Sequence, residues 1–185
     1  YDLLDAAKIR YPRQFKDPKD IDDRLCIVKV LEKARGFERA FFLTNSYDRY
    51  MFEVQEGLAK KEFTEDQLNK SVIEEFIIGV HVNFNFFYSP INNRLELLGT
   101  DMRRQTNHEG TYKLSPEYQK EFSNIGGRIK YEEAGHIAVT VLESLLEPAF
   151  EIGEKFVEAT KKLGMPVVGP FGLQTMIIPG PPKKE

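Results

Sequence analysis

Between Ile73 and Glu109 (IEEFIIGVHVNFNFFYSPINNRLELLGTDMRRQTNHE) one histidine and two asparagines recur at alternate positions: His81, Asn83 and Asn85. In an extended strand that spacing puts the imidazole and both carboxamides on one side, and Val80, Val82, Phe84, Phe86 and Tyr88 on the other. A merely solvated face usually carries Lys, Glu and Thr. Groups that both donate and accept, followed by Asp101, Arg103, Arg104 and Asn107, read instead as the floor of a polar cleft. The alternative is a half-exposed sheet whose asparagines mark bulges. A second chemical grouping lies upstream. Lys29 ends the apolar run Leu25–Val30 and precedes a stretch bearing Lys33, Arg35 and Arg39 around Gly36. A lysine fixed at a strand end is a point charge for phosphate, and the basic stretch offers further donors. The alternative is a lysine that snorkels from a strand end. There is no GxxxxGK pattern, so the stretch is not a P-loop.

These residues need elements to hold them. Ser89-Pro90-Ile91-Asn92-Asn93 supplies turn chemistry, and Arg94–Asp101 reads as a strand returning from it. Leu25–Val30 and Ala40–Thr44 read as two short strands joined by a basic loop. Glu74–Gly79 reads as an extended hinge whose backbone groups could bond the edge of an adenine. Residues 1–10 read as a helix tail closed by Tyr11-Pro12, and Asp17–Asp20 as a turn. Ser46 caps a helix to about Gly57, Thr64 starts a short one, and Ser115-Pro116 opens another. Ile137–Val141 is rich in β-formers. Glu143–Leu163 is the most regular helix, with Leu146, Ala149, Phe150, Gly153, Phe156, Val157, Thr160 and Leu163 in one stripe and Gly164 as its cap. Val167–Phe171 and Leu173–Ile178 read as a strand interrupted at Gly169-Pro170, before a proline-rich tail. Strands and helices are mixed with hairpin connections. The expected class is therefore α+β with mostly antiparallel sheets.

Composition sets bounds. The chain has 185 residues, 41% of them hydrophobic, and a formal net charge of −3, which suits a folded domain or two small subdomains. With a pI near 5.8 there is no electrostatic reason to expect nucleic acid or an anionic membrane as partner. No apolar run reaches spanning length and no signal-peptide pattern stands at the start, so a cytoplasmic location is expected. The single Cys26 sits in an apolar run and reads as a core thiol. His108 and His136 are isolated, without HxxxH or CxxC spacing for a transition metal. The chain starts at Tyr1 without Met and reads as a piece of something longer.

In order, the blocks IVK, basic loop, AFFLT, IEEFIIGVHVNFNFFYSP, LELLGTDMRR–N, VLESLLEPAFEIGEKFVEATKKLG and GPFGLQT resemble the archaeal ATP-grasp ligases of purine (IMP) biosynthesis. Those enzymes join formate to the amine of aminoimidazole-carboxamide ribonucleotide at the expense of ATP. The resemblance covers nearly the whole chain. It implies an ATP-grasp fold around a nucleotide cleft, with residues 1–21 ending a preceding subdomain and its linker. Residues 22–72 would form the small ATP-grasp subdomain and 73–185 the large one, cut short at its C-terminus, where a final acidic strand would follow Glu185.

The resemblance further implies ATP and Mg²⁺ as cofactors and small molecules as partners: ATP, a small carboxylate and a ribonucleotide amine. A homo-oligomeric state is left open. Lys29 resembles the phosphate-contacting lysine and, with Arg103, would be catalytic. Lys33, Arg35, His81 and Asn83 would join it at the nucleotide. Glu74, Glu75, Phe76 and Ile77 resemble the adenine hinge. Asp101, Arg103 and Asn107 match parts of a DRRYESN block that binds substrate. Departures accompany these matches. Gln105 replaces a Glu of that block, and the phosphate loop is less glycine-rich. His136 and Leu142 replace a substrate-contacting Asn and an Arg. Gln174 stands where a metal-binding Glu is expected, and a neutral amide is a poorer Mg²⁺ ligand than a carboxylate. The alternative to a working ligase is a nucleotide-binding or regulatory relic of the fold.

Overall fold

Period-two burial, the signature of a strand with one face in a core, recurs in both sheets of the chain. The structure, a computed structural model, describes residues 2–21, 24–30, 41–127, 129 and 133–179, with backbone only at 41, 106 and 107. In chain order the elements are α1 (Asp2–Ala6), β1 (Gln14–Phe15), β2 (Cys26–Lys29), β3 (Phe41–Thr44), α2 (Tyr47–Ala59), α3 (Glu65–Leu68), β4 (Val72–Glu75) and β5 (Val80–Ser89). They continue with β6 (Arg94–Gln105), α4 (Thr106–Thr111), α5 (Pro116–Asn124), β7 (Glu133–Ala138), α6 (Leu146–Lys162) and β8 (Gly169–Ile177). The α+β class with antiparallel pairing is as expected. Two units form: residues 12–77 with 104–134, and residues 1–11 with 78–103 and 135–185. The division proposed from the sequence, at 72/73, differs from this grouping. Residues 73–77 stay with the first unit because β4 pairs inside its sheet, and 104–134 join it as well.

The first unit holds a sheet in the order β1-β4-β2-β3. Cys26 and Val28, two apart in β2, are fully buried with Phe15, Ile21, Tyr50, Val54 and Ile73. Cys26 is thus the core thiol expected of it. Ser46 caps α2 by accepting from the Arg49 N–H, and Thr64 and Gln67 close a reciprocal capping box on α3, each satisfying an N–H that helix geometry leaves open. Gly57 is required inside α2, because a Cβ there would lie 2.4 Å from the Phe63 ring. The basic stretch 31–39, including Lys33 and Arg35, lies outside the described residues.

The second unit holds a sheet in the order β7-β6-β5-β8. Val82, Phe84 and Phe86 of β5 pack with Ala149 of α6 and with Phe150, Phe171 and Leu173, which is the apolar side expected of this hairpin. Asn93 takes the positive φ that its turn requires. Val80, placed on the same apolar side, is exposed because it stands at the sheet's end. A bulge opposite Asn85/Phe86 leaves Leu98 as the extra residue of β6, and it is exposed. Pro170, which has no N–H to give, is accommodated because β8 is an edge strand. It does not interrupt the strand.

Other boundaries moved. The regular helix begins at Leu146, after a 3₁₀ turn at Glu143–Leu145. Pro148 fits only the first turn, where its missing N–H costs nothing. Gly164 closes it at φ 72°. Strand β7 starts earlier than the expected Ile137–Val141, at Glu133, and lies beside β6. Val139 and Val141 pack on the core instead, with the Val139 N–H donating to the Thr100 carbonyl. Helix α4 was not foreseen, and the returning strand β6 runs on to Gln105, past the expected end at Asp101. Among the described residues no helix is long and apolar enough to cross a membrane.

Candidate functional site

The second unit carries a row of polar groups across its sheet. In register, Asn83 of β5 stands between Asp101 of β6 and Gln174 of β8, and β7 brings His136 to Asp101. The Asp101 carboxylate gathers three donors. Its Oδ1 accepts from Asn83 Nδ2 at 2.7 Å and lies 2.5 Å from His136 Nδ1, while Oδ2 accepts from Asn85 Nδ2 at 2.5 Å. These bonds, that of His136 first and that of Asn83 next, hold the Asp101 pKa down at about 2 against the opposing effect of burial. Hydrogen bonds to the charged form favour it.

Asn83 is 5% exposed, and its Oδ1 accepts no hydrogen bond of normal geometry. Its Nδ2 must face Asp101, since a carboxylate only accepts, and this fixes the direction of Oδ1. His81 lies on the same face. Burial is the main cause of its lowered pKa and the Arg103 guanidinium adds to it, while Asp101 and the Asn83 amide work the other way. Thus His81, Asn83, Asp101, Arg103 and His136, named separately from the sequence, belong to one surface. Asn85, noticed on that face but not assigned a role, is one of the three residues that grip Asp101. The alternation at 81, 83 and 85 was the signal for it. Gln174, expected at a metal, is exposed.

The first unit carries the other group. Lys29 Nζ is paired with the carboxylate of Glu74, which β4 places beside β2. Glu74 is buried and also accepts from Gln14 Nε2 at 3.4 Å, whereas the Lys29 side chain is about half exposed. The ammonium is thus anchored on a buried carboxylate, on a side chain that is itself about half exposed. The hinge differs from expectation. Glu75 N–H donates to the Arg13 carbonyl at 2.8 Å and Phe76 N–H to that of Leu25 at 2.9 Å, because 72–75 is an interior strand rather than an open connector. Of the four hinge residues only Ile77 lies beyond these bonds. The role of Glu74 as the partner of Lys29 was missed; a glutamate inside an apolar strand run was its only trace. Asn107 is in α4, with its side chain outside the described residues, and Arg104 pairs with Glu109 at 3.5 Å.

The fold and the polar sheet define an α+β protein of the ATP-grasp class. The chain belongs to the family described as a domain of unknown function, DUF1297, whose model matches residues 50–181. It is similar to the 5-formaminoimidazole-4-carboxamide-1-(beta)-D-ribofuranosyl 5'-monophosphate synthetase of Saccharolobus solfataricus, at 38% identity over 95% of this chain and 50% of that protein. The synthetase of the same name from Methanocaldococcus jannaschii is 34% identical over 94% of this chain and 47% of its own length. Among solved structures, an IMP biosynthesis protein PurP from Thermococcus kodakaraensis superposes with a TM-score of 0.61 at 25% identity, over 95% of this chain and 46% of that one. The chain thus spans about half the length of the relatives it matches.

Proposed function

We propose that the chain belongs to an ATP-dependent ligase that joins formate to the amine of an aminoimidazole-carboxamide ribonucleotide through an acyl phosphate, in the cytoplasm. The observation that carries this reading is the likeness to the synthetases over 94–95% of the chain. The two polar groups supply suitable chemistry. Lys29, held by Glu74, meets the outer phosphates of ATP, and Lys33 and Arg35 add charge beside it. Ile77 meets the adenine edge, next to Glu74, Glu75 and Phe76, which it follows in the chain. Arg103, Asp101, His136 and Asn107 receive the ribonucleotide, with His81 and Asn83 beside the nucleotide. Catalysis of this kind is largely positioning and charge neutralisation.

Magnesium accompanies ATP in such chemistry. Among the described residues no group of three or more His, Cys, Asp or Glu side chains could hold a metal ion. Asp101 is taken by three donors, and Gln174 offers one neutral oxygen. The described residues do not fit a Mg²⁺ site by themselves, and no step is routed through one. Gln174 is also the observation favouring the second reading, a nucleotide-binding relic without turnover.

Lys29→Gln tests the nucleotide assignment. The amide can still donate to Glu74, so the core stays paired, while the charge is lost. ATP should bind about tenfold more weakly, the equivalent of about 1.4 kcal/mol, and AMP within about twofold of wild type, by calorimetric titration of the complete protein. Equal weakening of both nucleotides would remove Lys29 from the phosphates.

A further inference from the structure

One carboxylate fixes which way two carboxamides face. Asp101 is ionised at neutral pH and can only accept. Asn85 Nδ2 donates to its Oδ2 at 2.5 Å, and Asn83 Nδ2 to its Oδ1 at 2.7 Å. Each amide therefore turns its own oxygen away from Asp101. For Asn85 the direction is toward β8: a Cβ at Gly172, its register partner there, would lie 3.2 Å from Asn85 Oδ1. Its register partner in β6 is Gly99, where a Cβ would have nothing within 4 Å. No side chain at either paired position covers Asn85, which is partly exposed. A glycine inside a strand is often the mark of a close approach. Among the described residues nothing donates to Asn85 Oδ1. Next to it along β5, Asn83 Oδ1 is buried and also lacks a donor. Neither amide can turn over, since its oxygen would then oppose a carboxylate. Asn85 thus presents an acceptor and nothing else.

We propose that Asn85 selects the carboxamide of the ribonucleotide, its Oδ1 accepting from the –NH2 of that group above Gly172. This rests on the ligase reading above. A primary carboxamide nitrogen carries two N–H groups and no acceptor, because its electron pair is delocalised into the carbonyl. It matches a position that only accepts. The ring amine is the other –NH2 of the ribonucleotide, but it has to be free to attack the acyl phosphate. A carboxylate in place of the carboxamide has no hydrogen to give. Its oxygen would oppose Asn85 Oδ1, lone pair against lone pair, and its charge would add to that of Asp101. A site built to hydrogen-bond a donor rejects the analogue that lacks it, because its own polar group is then left unpaired. Asp101 is the positioning residue for Asn85, and Asn83 holds the other oxygen of Asp101.

The test is calorimetric titration of the complete protein with three ligands. These are aminoimidazole-carboxamide ribonucleotide, the same ribonucleotide bearing a carboxylate in place of the carboxamide, and ATP. Wild type should prefer the carboxamide by about a hundredfold or more. Asn85→Ala should reduce that preference to about tenfold or less, with ATP affinity within about twofold of wild type. Gly172→Val leaves every residue that bonds Asp101 unchanged and sets a branched side chain on the approach to Asn85 Oδ1. It should weaken the carboxamide ribonucleotide by about tenfold or more, with ATP again within about twofold. This variant decides the matter if Asn85→Ala does not fold. Equal affinity of the wild type for the two ribonucleotides, a full preference retained in Asn85→Ala, or undiminished affinity in Gly172→Val would each overturn the proposal. A wild type that binds ATP but neither ribonucleotide would overturn the ligase reading instead and remove the proposal with it.

Discussion

Asp101 shows how much a residue's type leaves unsaid. Its sequence neighbourhood marks it as polar and cleft-facing, and the structure sets it among Asn83, Asn85 and His136 on the polar side of the sheet. That it is gripped by Asn83, Asn85 and His136 depends on partners that lie 18, 16 and 35 positions away, and no local pattern carries such distances. His136 accordingly read as an isolated histidine. The grip has a measurable consequence. A carboxyl whose folded pKa is lowered to about 2 contributes stability that is fully present above its unfolded value near 4. The contribution is lost as pH falls from about 4 to about 2. Urea unfolding at pH 6 and pH 3 should show a steeper acid loss in wild type than in Asp101→Asn. Equal losses would mean that the bonds do not hold the charge in solution. Lys29 teaches the complementary lesson. Its place at a strand end was legible, but its buried partner Glu74 was not, because a strand's pairing in the sheet is a tertiary fact.

At the scale of elements, the long hairpin, the capped helices and the stripe of α6 followed from spacing and capping residues alone. The misplacements fall where pairing or packing outweighs local preference. Strand β7 sits where β6 offers partners, rather than at the best β-formers. Of the stretch read as an adenine hinge, Glu74 and Glu75 lie in the interior strand β4, and the Glu75 and Phe76 N–H groups are already used. Glycines separate the two kinds of constraint. At Gly79, just before β5, a Cβ would stand 2.6 Å from the backbone oxygen of Ile177 in β8. Backbone cannot yield as a flexible side chain can, so Gly79→Ala should cost about 1–3 kcal/mol through forced separation of the strands. Gly110, inside α4, has nothing within 4 Å of the same position. Gly110→Ala should be neutral or stabilise by up to about 1 kcal/mol, since alanine favours the helix. Thermal unfolding of both variants checks the pair. A Gly79→Ala protein as stable as wild type would show that β5 and β8 are not held at this approach.

At the scale of the whole molecule, the class and the family were legible because several blocks occur in order over nearly the full chain. Unit boundaries were not, since the first unit is assembled from two separated segments and the second from three. The central claim is that this chain serves a formate-activating ligase and not a relic of one. The most direct measurement is phosphate release from ATP by the complete protein, with formate and aminoimidazole-carboxamide ribonucleotide supplied singly and together. The ligase reading expects release that requires both, with one phosphate appearing per formamide formed. Nucleotide binding with no phosphate release under any combination would contradict it.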